Sequence, residues 1–349
     1  MRRLPVYFLV DVSESMIGGP IEEVQKGMRT IIQNLRVDPY ALETVFVSII
    51  VFAGKSKVIS PLTELYKFYP PVFPIGGGTS LGKGLECLMD SIQRDVKKTT
   101  PEEKGDWKPI IFLFTDGNPT DDYSKAFKRW NDHFRRHCNL VAISIGDNVN
   151  MLTLAQITDN ILLLKDTDAE SFNQFFKWVT ASIKTTSMSV SEQNIDEMKL
   201  APTGGINLEK IDKNKIIDPG TVDENFAVLH ARCQTTKGDY LIKYARKFGN
   251  ESNEYGYRSY GFKLAGAYPV ESESYKELSD GGLAKISVTE LVGAPVCPCC
   301  GNQFGGVLCE CGNLFCADTS GELECPWCGM KGFLGEGISD GRKISRTLG

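Results

Sequence analysis

Short apolar runs alternate with amphipathic stretches over about the first 185 residues of the chain. The apolar runs stop at Gly, Asp or Pro, as buried strands do, and they read VYFLVDV, TVFVSIIVFAG, SKVISPLT, PIIFLFTDG, LVAISIGD and ILLLKD. The first amphipathic stretch has apolar residues on one helical face: Ile21, Val24, Met28, Ile31, Ile32 and Leu35. This alternation predicts a doubly wound α/β fold with a mostly parallel sheet, helices on both faces and a ligand site beyond the carboxyl ends of the strands.

The pattern changes beyond this first domain. Residues 186–222 are polar, are punctuated by proline and glycine and lack a sustained apolar period, which predicts a linker or a loosely packed crossover. Strand-like pieces such as DYLIKYARK and AKISVTELVG follow in 223–292, and a cysteine-rich segment occupies 293–335. We therefore expect an α/β domain at 1–185, a linker, and a C-terminal domain at 223–349 with a β-rich part and a cysteine-rich part.

Composition narrows the class of protein. The 349 residues are 42% hydrophobic and 24% charged, which is typical of a globular chain of about two or three domains. A net charge of -5 argues against a general binder of polyanions. The longest apolar runs, such as VFVSIIVFA, fall well short of the about 20 residues that span a membrane, and the N-terminus becomes acidic too soon for a signal peptide. We expect a cytoplasmic protein without a membrane association.

Two of the predicted strands end in an acid. Asp11 ends the first strand and is followed by hydroxyls at Ser13 and Ser15, and Asp116 ends a later strand. A carboxylate at a strand end loses solvation unless a cation or hydrogen-bond donors meet it there, so two such acids predict a shared ligand. Carboxylates and hydroxyls are hard oxygen donors that suit Mg²⁺, with Mn²⁺ or Ca²⁺ as alternatives. Thr79, in the glycine-rich loop PIGGGTSLGKG, would supply a third hydroxyl.

Each of these motifs alone has another interpretation. Asp11 or Ser13 would serve as a helix N-cap, and Asp116 would open a turn. Residues 77–83 fit the first part of a P-loop, but Gly84 stands where the metal-binding Ser or Thr is needed and three prolines precede the loop. An aspartyl phosphatase needs a second acid two residues after its nucleophile, where this chain has Ser13.

Eight of the eleven cysteines lie between Cys297 and Cys328. Clustered C-x-x-C spacing in a cytosolic chain indicates a metal site rather than disulfides. We predict a zinc ribbon in which two turn-plus-glycine knuckles supply four thiolates to one Zn²⁺: Cys297, Cys300, Cys325 and Cys328. Three further cysteines would complete a second zinc site with Cys299 or His230, pair differently with one knuckle, or in part be buried thiols: Cys309, Cys311 and Cys316.

The set DxSxS, then Thr, then Asp, in this order on an alternating α/β chain, resembles the metal-ion-dependent adhesion site (MIDAS) of von Willebrand factor A domains. The resemblance implies that three hydroxyls coordinate the ion directly: those of Ser13, Ser15 and Thr79. It also implies that Asp11 and Asp116 largely hold the water ligands of the ion. A partner's Asp or Glu would then fill the open coordination position.

The whole chain, with its cysteine module ending in CPWCG, resembles the tellurite-resistance-associated bacterial proteins that carry a C-terminal TerY-C metal-binding domain. This resemblance implies a protein-binding role in a phosphorylation system with a Ser/Thr protein kinase and a metal-dependent phosphatase.

We find no plausible nucleophile–base pair and expect no enzymatic activity. The alternative is a zinc-ribbon nucleic-acid binder with the first domain as an accessory. Such a binder needs a basic stripe with aromatic residues, and the basic stretches RKISR and KYARKFG give little support for one. The polar linker gives no reason to expect that the two metal sites are coupled.

Overall fold

The computed structural model of the chain describes residues 2–145, 151–164, 169–192, 201, 208–210, 226–247, 261–279, 283–303, 305–317, 323–332 and 343–347. Two sheets dominate these residues, one of seven strands and one of six. Short 3-10 turns lie at Glu14–Met16 and Val288–Glu290.

The first sheet is mostly parallel. Its strands are β1 Leu4–Asp11, β2 Val45–Phe52, β3 Ser56–Glu64, β4 Ile110–Thr115, β5 Asn139–Ile145, β6 Asn160–Leu164 and β7 Leu208–Lys210. They lie in the order β3-β2-β1-β4-β5-β6-β7, and only the edge strands β3 and β7 run antiparallel to their neighbours. Every residue of the central strand β1 is buried, which explains its continuous apolar sequence.

Helices cover both faces of this sheet. They are α1 Gly19–Arg36, α2 Pro39–Thr44, α3 Leu81–Asp95, α4 Ser124–His133, α5 Met151–Ala155 and α6 Ala169–Glu192. Side chains of β1 alternate between two cores, because successive residues of a strand point to opposite faces. Phe8 packs in the core that contains α1 and α6, whereas Tyr7 packs in the core that contains α3 and α4. The predicted doubly wound fold is confirmed.

The C-terminal domain is β-rich, as predicted. Its elements are β8 Phe226–Cys233, β9 Asp239–Lys247, β10 Gly261–Pro269, α7 Ser272–Leu278, β11 Leu283–Ser287, β12 Leu291–Val292, β13 Gly306–Leu308, β14 Leu314–Cys316, β15 Leu323–Glu324, β16 Lys331–Gly332 and β17 Lys343–Thr347. The order in its six-stranded sheet is β12-β10-β9-β8-β14-β13. The cysteine-rich segment therefore contributes two strands to the same sheet as the β-rich part.

Part of the expected linker belongs to the first domain. Helix α6 continues to Glu192, and β7 joins the first sheet beside β6. The indole nitrogen of Trp178 donates a hydrogen bond to the carbonyl oxygen of Ala201 at 2.8 Å. The other residues of 186–222 lie outside the described part. Among the described helices, none combines the length and the apolar character that a membrane crossing requires.

Candidate functional site

The carboxyl ends of β1 and β4 bring two functional side chains together. These strands are parallel neighbours, with Val10 opposite Phe114, so Asp11 and Thr115 meet at the same edge of the sheet. Oγ1 of Thr115 donates a hydrogen bond to Oδ2 of Asp11 at 2.7 Å. Asp116 follows directly after β4 and therefore also lies at this edge.

The DxSxS segment leaves the sheet as a single turn that aims its side chains back at this edge. The amide of Ser13 donates a hydrogen bond to Oδ1 of Asp11 at 2.9 Å. The hydroxyl oxygens of Ser13 and Ser15 lie 2.9 Å apart, and Ser15 donates to Oδ1 of Asp116 at 2.7 Å. One hydrogen-bonded network therefore connects both predicted acids and both predicted hydroxyls.

Thr79 brings the third predicted hydroxyl to the same place. Its amide donates a hydrogen bond to Oγ1 of Thr120 at 3.0 Å. Its own Oγ1 is buried and has no hydrogen-bond partner in the part of the chain that the structure describes. A Cβ atom placed on Gly117 would lie 3.5 Å from both Oγ of Ser15 and Oγ1 of Thr79, so these two hydroxyls border one space. An unpaired buried hydroxyl costs about 1–3 kcal/mol, which a cation in that space would offset.

The five predicted magnesium ligands are almost inaccessible to solvent. Asp116 is 6% exposed, and the other four are 0% exposed: Asp11, Ser13, Ser15 and Thr79. Burial raises the pKa of Asp11 to about 6, although hydrogen bonds from Ser13 and Thr115 act in the opposite direction and lower it. A divalent cation would favour the carboxylate form and reverse this direction. Two carboxylates and three hydroxyls are a donor set that fits Mg²⁺.

The C-terminal domain lies over this edge of the sheet. The amino group of Lys243, on β9, donates hydrogen bonds to the carbonyl oxygens of Ser15 and Ile17, the second at 3.5 Å. The hydroxyl of Tyr275, on α7, donates to the carboxylate of Glu14. Burial and the neighbouring charge of Glu14 raise the pKa of Tyr275, which keeps the phenol protonated as a donor.

The segment at the end of α7 adds contacts to two more loops of the first domain. Oγ of Ser279 accepts a hydrogen bond from the amide of Gly77 at 2.7 Å. The carbonyl oxygen of Leu278 accepts one from the amide of Lys55, also at 2.7 Å. Our sequence analysis missed all of these residues, because no local pattern marks a side chain that contacts a distant domain.

The structure sorts eight of the cysteines into two groups of four. Within each group the sulfur atoms all lie within 4.8 Å of one another. The first group contains Cys233, Cys297, Cys300 and Cys316. The second group contains Cys309, Cys311, Cys325 and Cys328.

Distances between the sulfur atoms fit zinc. Cys300 and Cys316 are separated by 3.8 Å in the first group, and Cys309 and Cys328 by 3.7 Å in the second. Four thiolates placed tetrahedrally at about 2.3 Å from Zn²⁺ lie about 3.8 Å from each other. A disulfide would require about 2.05 Å. Each group therefore has the dimensions of a four-thiolate zinc site.

Neighbouring amides favour the thiolate of one cysteine in each group, whereas burial and neighbouring thiols raise the pKa of the other shifted cysteines, which are Cys300 and Cys316 in the first group and Cys309 and Cys328 in the second. Burial raises the pKa of Cys233, but hydrogen bonds from Thr236 and others outweigh this effect and lower it to about 6. The pKa of Cys311 is lowered to about 7 in the same way, because hydrogen bonds such as that from Asn313 outweigh burial. Thiolates are the form that binds metal.

This arrangement corrects the pairing that we expected from sequence. The predicted ribbon placed the knuckles at Cys297 and Cys325 on one zinc ion, whereas the structure places them in different groups. The reason is the parallel pair of β8 and β14, in which Cys233 lies opposite Cys316. Of the two extra ligands considered, Cys299 and His230 both lie outside the groups, which Cys233 completes instead.

The parallel sheet and the site at its carboxyl edge define the class of the first domain. The family model of the von Willebrand factor type A domain matches residues 6–178. The model described as the TerY-C metal binding domain matches residues 223–349. The chain belongs to the TerY-like proteins, which join these two domains. A comparison with curated proteins finds no match.

Several solved structures are similar to the first domain. Proximal thread matrix protein 1 from the mussel byssus, with its MIDAS motif occupied by zinc, has 17% identity and a TM-score of 0.38 over 53% of this chain and 46% of that chain. The pilus adhesin SpaC from Lactobacillus rhamnosus GG has 14% identity and a TM-score of 0.42 over 53% and 31%. BatB from Bacteroides thetaiotaomicron has 16% identity and a TM-score of 0.36 over 53% and 98%. The chain spans less than half of the mussel protein and of the pilus adhesin.

Proposed function

We propose that this protein is a metal-dependent protein-binding scaffold. In this proposal one Mg²⁺ is held at the carboxyl edge of the first sheet by Asp11, Ser13, Ser15, Thr79 and Asp116. The observation that carries the proposal is the buried hydroxyl of Thr79, which has no partner among the described residues and borders the same space as Ser15. A protein interior rarely leaves such a group unpaired without a ligand to satisfy it.

The residues of the site prepare it for an incoming carboxylate. Ser13 and Ser15 are held in place before any ion binds, because Asp11 and Asp116 accept their hydrogen bonds. Neutral hydroxyls neutralise little of the charge of a cation, so when bound, Mg²⁺ supplies an electrophilic centre for an oxygen of a partner's Asp or Glu. The chemistry of this site is binding, and both domains are of interaction and metal-binding types.

The partners that we propose are a Ser/Thr protein kinase and a metal-dependent phosphatase of a bacterial stress-response system of the tellurite-resistance type. Membership of the TerY-like proteins supports this proposal. The two cysteine groups would each hold a zinc ion and fold a second docking domain beside the first, because zinc binding stabilises small cysteine-rich segments. A scaffold with two domains is suited to hold two enzymes at once.

The test uses the full-length protein and its purified candidate kinase and phosphatase. Binding of each enzyme is measured by biolayer interferometry in millimolar Mg²⁺ and in Mg²⁺-free buffer without a chelator, so that zinc stays bound, for the wild type and for Thr79→Ala. We expect Thr79→Ala and omission of Mg²⁺ each to weaken one of the two interactions at least about tenfold, because a direct ligand or the ion itself is lost. Thr63→Ala is the control that should bind normally, because the hydroxyl of Thr63, on β3, donates to the carbonyl oxygen of Pro61. Binding that neither omission of Mg²⁺ nor Thr79→Ala changes would contradict the proposal.

A further inference from the structure

We propose that the C-terminal domain is a built-in cover of the magnesium site, and that the second cysteine group holds this cover in place. We call the residues that touch the first domain the covering surface; they are Lys243, Tyr275, Glu277, Leu278 and Ser279. The proposal concerns regulation of the proposed adhesion site and so rests on the proposed function. A partner's carboxylate would reach the site only after the covering surface moves away.

Lys243 is the first specific contact of the covering surface. Its side chain is only 7% exposed, and its ammonium group lies 4.3 Å from the ring centroid of Phe226. A buried ammonium is costly unless hydrogen-bond acceptors satisfy it. Here the carbonyl oxygens of Ser15 and Ile17, in the other domain, accept its hydrogen bonds. The side chain of Lys243 therefore connects the C-terminal domain to the backbone of the DxSxS segment and of Ile17.

Tyr275 is the second contact, and it acts through Glu14. The carboxylate of Glu14 is 0% exposed and accepts a hydrogen bond from Tyr275 on Oε1 and one from the amide of Gly78 on Oε2, the latter at 3.1 Å. Gly78 directly precedes Thr79. One buried carboxylate therefore joins the DxSxS segment, the glycine-rich loop and the covering surface.

Apolar packing completes the cover. Leu278 is 1% exposed and belongs to the hydrophobic core of the first domain. A Cβ atom on Gly76 would lie 2.4 Å from Cβ of Leu278, so only a glycine permits this approach. The ion pair of Lys57 with Glu277, at 2.7 Å, is about half exposed and adds little. The cover thus depends chiefly on buried groups.

A row of aromatic contacts connects the cover to the second cysteine group. Trp327 lies between Cys325 and Cys328 of one knuckle, and its ring centroid is 5.1 Å from that of His230, edge to face. The ring of His230 lies 4.7 Å from that of Tyr275. Zinc bound by the second cysteine group would fix the knuckle and with it Trp327, which contacts His230 and through it Tyr275. This contact path offers a route of coupling between the two metal sites, where the polar linker gave no reason to expect one, and we infer that zinc loss loosens the cover.

The first experiment weakens the cover without touching a metal ligand. Tyr275→Phe keeps the ring but removes the hydrogen bond to Glu14, and Lys243→Met removes the buried ammonium. The controls are Tyr244→Phe, whose hydroxyl bonds Gly293 within the C-terminal domain, and Lys263→Met on an exposed residue of β10. Hydrogen exchange of the peptide spanning 12–28 is measured in millimolar Mg²⁺. We expect exchange about tenfold faster or more in both variants, since each loses a hydrogen bond to or from a charged group, and unchanged exchange in the controls.

The second experiment removes zinc from the full-length wild type with a nitrogen-donor chelator that leaves millimolar Mg²⁺ in solution. The same peptide should exchange faster, and Tyr275→Phe should respond less to the chelator because its contact is already lost. Binding of Mn²⁺, followed by water-proton relaxation, reports the state of the adhesion site itself. Protection of 12–28 that stays at the wild-type level in Tyr275→Phe, in Lys243→Met and after zinc removal, with Mn²⁺ bound, would overturn the cover but not the proposed function. A wild type that binds no Mn²⁺ would overturn the proposed function instead.

Discussion

Cys316 lies opposite Cys233 in the parallel pair of β14 and β8, and their sulfur atoms are 3.7 Å apart although 83 residues separate them along the chain. This pair ties the cysteine-rich segment to the strand that begins the C-terminal domain. A metal clip that closes so long a loop removes much conformational freedom from the unfolded chain. The first cysteine group is therefore a link across the domain rather than a local knuckle.

Zinc content should distinguish this arrangement from a local ribbon. Cys233→Ser removes one of four thiolates from the first group, so we expect zinc to fall from about two ions per chain to about one. Elemental analysis of the purified full-length protein measures this. Cys299→Ser is the matched control, since Cys299 lies outside both groups and should keep both ions. Equal zinc in Cys233→Ser and the wild type would contradict the assignment of Cys233 as a ligand.

The second group should be separable from the first. Cys325→Ser combined with Cys328→Ser removes two ligands of the second group, and we expect one zinc ion to be lost and protease cleavage to appear near Cys325. The chain near Cys297 should stay protected, because its own group keeps four thiolates. Mass spectrometry of limited digests locates the cuts. Cleavage that begins at Cys297 as readily as at Cys325 would mean that the two groups fold as one unit.

Magnesium should stabilise the first domain through Thr79. A ligand that binds only the folded state at 100 times its Kd raises the free energy of unfolding by about 2.7 kcal/mol, and Thr79→Ala should lose most of this gain. Without Mg²⁺ the variant should be no less stable than the wild type, because the substitution removes a buried hydroxyl that has no partner among the described residues. Thermal denaturation with and without Mg²⁺ measures both effects. A variant that Mg²⁺ stabilises as much as the wild type would exclude Thr79 as a ligand.

Two glycines of α1 should respond differently to alanine. A Cβ atom on Gly27 would lie 1.9 Å from Cδ2 of Phe176 on α6, so Gly27→Ala should lower the free energy of unfolding by about 1–3 kcal/mol. Apart from its chain neighbours, Gly19 has no atom within 4 Å of such a Cβ, so Gly19→Ala creates no contact with another element and should lower the free energy of unfolding less than Gly27→Ala does. Urea denaturation followed by circular dichroism measures the difference. Equal stability of the two variants would show that α1 and α6 do not pack this closely.

Local sequence spacing was sufficient for the first domain and for the geometry of its site. Asp11, Ser13 and Ser15 lie within one turn, so their mutual arrangement depends on only a few backbone angles. Asp11 and Asp116 end buried strands, and carboxyl ends of neighbouring parallel strands meet at one edge. The glycines before Thr79 mark the loop that completes the set. The role of these residues as metal ligands stays a prediction until an ion is measured.

Only the tertiary structure decided which cysteines share an ion and what lies over the adhesion site. Spacing identifies a knuckle such as Cys297 and Cys300, but four sulfur atoms meet only where strands from distant parts of the chain pair, as β8 and β14 do. The contact of Tyr275 with Glu14 joins residues 261 positions apart and has no local signature. Such contacts depend on the summed free energy of packing two whole surfaces, which no short stretch of sequence contains.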